Sequence, residues 1–137
     1  MKWIFFIITA AIIYLIFKMF RGSIKHSAVQ NAFLAKVTLS KLNDQEKEHV
    51  QNKSIEILIR GGMNNDYALK FFNELSEIYR FSIMALAMAE LNIRPVLSNE
   101  MWHYVKRPFE PLEDVRHQIE VVKHHFMKYH NVNVDFD

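Results

Sequence analysis

The first feature of the chain is a run without polarity. Trp3 to Phe17, WIFFIITAAIIYLIF, carries no charge, and apolar character resumes at Met19 and Phe20 after Lys18. A helix on a globular surface keeps one polar face, whereas this stretch is apolar all round. As a helix, Trp3 to Phe20 would be about 27 Å long, close to a hydrocarbon core of about 30 Å. The ten Ile, Phe and Leu residues of Ile4 to Phe17 favour insertion by about 3–6 kcal/mol. The run therefore predicts a transmembrane helix within an anchor spanning residues 1–22. A cleaved secretory signal is the competing reading, but the following KMFRGSIKHSA offers no pair of small residues spaced for cleavage, so an uncleaved anchor is expected.

Beyond the anchor the pattern is amphipathic. Ile24, Ala28, Val29, Ala32, Phe33 and Val37 recur at helical spacing, and Gly22 is the one expected break, leaving either a single rod or a hinged pair. Asn43 and Glu46 form a capping-box signature, and Gly61-Gly62 supplies a stop. The helix between them has a thin inward stripe of Val50, Ser54, Ile57 and Leu58. Asn64 to Asn92 reads as one long helix, the central one, with Met84 and Met88 either in the core or on a partner-facing patch. Pro95, Pro108 and Pro111 interrupt the next stretch, which holds a short helix-like piece from Ser98 to Lys106. Leu112 to His130 shows the cleanest stripe: Leu112, Val115, Ile119, Val122, Phe126 and Tyr129. The period then changes to two in NVNVDFD, either a frayed end or an extended peptide.

These elements predict an all-α protein: a single N-terminal transmembrane helix followed by an irregular soluble bundle of four to five helices. The expected divisions are the anchor at 1–22, the helical domain at 23–130 and the extended tail at 131–137. The chain has 137 residues, enough for one modest domain, and only three glycines and three prolines punctuate it. Charge sharpens the picture. Residues 1–43 hold six basic and no acidic residues, so the remaining 11 basic residues stand against all 15 acidic ones, a formal −4. Lys18, Arg21 and Lys25 form a basic collar at the expected membrane surface, which favours a cytoplasmic domain and contact with anionic lipid.

Candidate chemistry is sparse. The chain has no cysteine, which removes disulfides and thiolate sites. Glu113, His117, Glu120 and His124 share a helical face, but one opposite the apolar stripe, so solvation is expected there and no metal or other cofactor. His124, His125 and His130 would give the surface a pH-dependent charge. No nucleophile elbow or phosphate loop occurs. Nucleic acid is not expected as a partner, since the distal domain is net acidic. The residues suited to a protein partner are Trp102, Tyr104, Lys106 and Arg107, which combine aromatic and basic character, and Val132, Val134 and Phe136 of the tail. The expectation is a membrane-anchored, non-enzymatic adaptor or accessory subunit. The alternatives are a regulator or immunity-type inhibitor of a single target and a membrane-bound hydrolase or metalloenzyme.

Overall fold

The computed structural model describes residues 2–97, 100–103 and 115–136, and for residues 17–26 the backbone alone. The described residues form five helices: α1 (Lys2–Ser40), α2 (Asp44–Arg60), α3 (Asn65–Glu74), α4 (Glu77–Glu90) and α5 (Arg116–His130). No strand occurs among the described residues. Also among the described residues, no helix is long and apolar enough to cross a membrane.

Helix α1 decides the architecture. Of the two arrangements open in the sequence, the backbone takes the single rod: 39 residues run through Gly22 without a break, about 58 Å at helical rise. Its two ends live in different surroundings. Lys2 to Ile16 is exposed at every position, whereas Asn31 to Ala35 are five consecutive buried residues. A helix buried all round must be enclosed by its neighbours, and α4 and α5 pack against this half of α1. Helix α2 covers α4, and α3 lies on α2. The core has two lobes. One gathers Ala35, Val50, Leu58, Phe72, Ile83 and Met88, and the other Val29, Phe33, Ile78, Val122, Phe126 and Val134.

The capping box at α2 forms as expected: Asn43 Oδ1 accepts from the Glu46 amide at 2.8 Å, and the Asn43 amide donates to Glu46 Oε1 at 3.2 Å. Val50, Ser54, Ile57 and Leu58 are the residues this helix buries. The single helix expected over Asn64 to Asn92 is instead two. Leu75 (φ −64°, ψ 148°) and Ser76 (φ −61°, ψ 152°) are extended and separate α3 from α4. An uninterrupted helix would hold Ala68 and Phe72 in line with the α4 stripe, but the break lets α3 swing onto α2 while α4 lies between α1 and α2. Centrality is accordingly shared by α4 and α1, and Met84 and Met88 are both core residues.

Two further expectations are corrected. Residues 100–103 have no helix, because their polar groups are committed elsewhere. Asn31, 6% exposed, bonds both the carbonyl and the amide of His103, at 2.7 and 2.8 Å, which holds this backbone on α1. Trp102 Nε1 donates to the Ile93 carbonyl at 2.7 Å. Tyr129, placed on the inward stripe by its spacing, is 64% exposed, since α5 ends one residue later and the core is closed at Phe126 by the returning tail.

Candidate functional site

The tail is a folded part of the core. Asn131 adopts the left-handed conformation (φ 52°, ψ 39°), which the asparagine side chain tolerates better than most, and its amide bonds the Phe126 carbonyl. This turn reverses the chain against α1. The period-two pattern then sets Val132, Val134 and Phe136 on one side, as the sequence implies, and that side faces inward. Val134 is 5% exposed, and Val132 and Phe136 are half-buried. The Phe136 ring meets Phe33 edge-on at 4.8 Å and Phe81 at 5.9 Å. Lys36 lies over the Phe136 ring at 4.9 Å, pairs with Glu77 and donates to the Asp135 carbonyl.

Trp102 is half-buried and touches both lobes of the core. Met101 beside it is 79% exposed. Tyr104, Lys106 and Arg107 lie outside the described residues, as do the side chains of Lys18, Arg21 and Lys25. Of the described residues expected to meet a partner, Val134 is buried and unavailable unless the core opens, whereas Trp102, Val132 and Phe136 are half-buried. Of the solvated-face residues, His117, Glu120 and His124 are exposed, and Glu113 lies outside the described residues.

The structure instead assembles a group that no sequence spacing announces. The Glu100 amide closes a turn onto the Leu97 carbonyl at 3.0 Å, so the Glu100 side chain is carried by the loop fixed through Asn31 and Trp102. Helix α5 is seated on α1 by Val122 and Phe126, which sets the rotation of its last two turns. His125 and His130 then converge on the loop. His130 Nε2 lies 3.0 Å and His125 Nε2 3.6 Å from the same Glu100 Oε1. The side chains of His130 and Glu100 are 13% and 18% exposed, and that of His125 is 38% exposed. Ring contacts hold both imidazoles, His125 against Tyr129 at 4.7 Å and His130 against Phe126 at 5.5 Å. One carboxylate oxygen facing two imidazole nitrogens in a partly dry recess is either a hydrogen-bonded latch or a ligand set. Glu100 lies 25 residues from His125 and 30 from His130 in the chain. No local motif could have found it, and only the presence of both histidines near the end of an amphipathic helix hinted at it.

The second prominent surface is the bare half of α1. Trp3 is 81%, Phe5 75%, Phe6 75% and Tyr14 66% exposed, and the isoleucines between them are more than half exposed. No family model matches the chain, and no curated protein or solved structure matches it either.

Proposed function

We propose that the protein is a helical module anchored in a membrane by α1, acting there as a non-enzymatic adaptor or accessory subunit for a protein partner. One observation carries the reading: a single helix is buried on all sides at Asn31 to Ala35 and bare on all sides from Lys2 to Ile16. Soluble proteins seldom expose contiguous apolar patches larger than a few hundred Å². A helix with ring after ring of exposed Ile and Phe needs an apolar medium, and a bilayer fits an all-round apolar cylinder better than a one-sided protein groove does. In the sequence the run reaches Phe20, which gives the length a span requires. The basic residues Lys18, Arg21 and Lys25 would then stand at the headgroups on the domain side, which favours a cytoplasmic domain.

Protein contact is assigned to the segment from Met101 to Arg107, where an exposed methionine leads into Tyr104, Lys106 and Arg107. Aromatic and arginine side chains carry a disproportionate share of interface energy.

Alkaline carbonate extraction of native membranes tests the anchor. The full chain should stay in the membrane pellet and leave it only with detergent, whereas Ile8→Asp/Ile12→Asp should release it as a folded protein. Release of the unchanged chain by carbonate would remove the anchor. Loss of a co-purifying protein in Tyr104→Ala/Arg107→Ala, with helicity and melting retained, would support the partner assignment. Retention of every such protein would refute it.

A further inference from the structure

We infer that Glu100, His125 and His130 form a binding site for a divalent transition-metal ion of the zinc type, with a fourth position left open. The geometry is close to what such an ion demands. Metal–ligand bonds of about 2.0–2.1 Å in a tetrahedron place ligand atoms about 3.3 Å apart. The two imidazole nitrogens stand 3.0 and 3.6 Å from Glu100 Oε1, and all three ligand atoms lie within 4.8 Å of one another. Closing the remaining gap between the imidazoles needs a rotation of His125, the most exposed of the three side chains.

The donor set selects the metal class. Two neutral imidazoles and one carboxylate suit zinc and its first-row neighbours, whereas calcium and magnesium require shells made mostly of oxygen. The Glu100 and His130 side chains are more than four-fifths removed from solvent, so a bound ion would be partly shielded from competing water. The supports around the ligands are also built. Glu100 sits on a loop pinned at its far side by the Asn31–His103 pair, and His130 is the last residue before the left-handed Asn131 turn. A bound ion would join that loop to the end of α5. The join would also tie Met101, the residue after Glu100, to the end of α5.

The test is titration of the full-length protein in detergent micelles with zinc chloride, followed by calorimetry and by the visible spectrum of the cobalt(II)-loaded protein. A single equivalent should bind, the cobalt spectrum should show the intense d–d bands of a low-coordinate site, and magnesium chloride should not compete. Loss of even an outer-shell contact typically weakens metal sites about 10–100-fold, so Glu100→Gln, His125→Gln and His130→Gln should each weaken binding at least about tenfold. His117→Ala/His124→Ala, which removes two exposed imidazoles of the same helix, should leave affinity unchanged. Circular dichroism and melting accompany each variant, and should His130→Gln fail to fold, Glu100→Gln and the exposed His125→Gln carry the decision. Absence of saturable zinc binding overturns the assignment. So does equal affinity in folded Glu100→Gln and His125→Gln, or an equal loss in His117→Ala/His124→Ala.

Discussion

A buried polar residue on α1, Asn31, holds the loop at His103 through its side chain. Asn31 is buried between apolar neighbours on α1, yet it satisfies both the amide and the carbonyl of His103. Removing it leaves two backbone groups without partners in a low-dielectric setting, each worth about 1–3 kcal/mol. Asn31→Ala should therefore destabilise the protein by about 2–6 kcal/mol in denaturant unfolding, and a loss below about 0.5 kcal/mol would show that water replaces the amide. Asp135 tests a surface tie of the tail. The Lys123 ammonium on α5, by hydrogen bond and then by charge, holds the Asp135 carboxyl below its usual value of 3.8, with Lys36 of α1 adding to the effect. The same pair raises Lys123, toward which Glu120 also contributes. A depressed carboxyl stabilises the folded state above the unfolded-state pKa, and that contribution disappears as pH falls through the folded value. Asp135→Asn should then lower the melting temperature at about pH 7, and the difference from the unchanged protein should shrink as pH falls below the carboxyl's usual value of 3.8. A difference that persists undiminished in acid would contradict the role of this charge.

Element boundaries were legible where side chains write them. Asn43 and Glu46 announced the start of α2, and its four inward residues followed from spacing alone. The break between α3 and α4 was not legible, because Leu75-Ser76 contains neither glycine nor proline and Ser76 makes no side-chain capping bond. Packing on two different neighbours, not local chemistry, bends the chain there. A paired measurement separates the two kinds of helix start. Asn43→Ala should cost about 1 kcal/mol, and Ser76→Ala less than about 0.5 kcal/mol, by equilibrium unfolding. A cost at Ser76 equal to that at Asn43 would mean that local capping sets the break after all. The tail shows a third case. Its alternation correctly put Val132, Val134 and Phe136 on one side, but alternation cannot say whether that side meets a partner or the chain's own Phe33 and Phe81.

At the scale of the molecule, the all-helical class follows from periodicity, whereas the sharing of the centre between α4 and α1 and the enclosure of α1 residues 31–35 depend on contacts between α1, α4, α5 and the tail that no single stretch reveals. The Glu100, His125 and His130 group was hidden for the same reason: it exists only after α5 docks. As proposed, one helix serves two media, a protein core at one end and a bilayer at the other. The chain has no cysteine, so single cysteines can report each position without background. Ile8 and Ile12 are 54% and 51% exposed, so the protein itself does not shield them. In opened native membranes a hydrophilic maleimide should react rapidly with Lys41→Cys and Asp66→Cys, and with Ile8→Cys and Ile12→Cys only after detergent is added. Labelling of Ile8→Cys and Ile12→Cys as fast as Lys41→Cys, without detergent, would contradict the anchor.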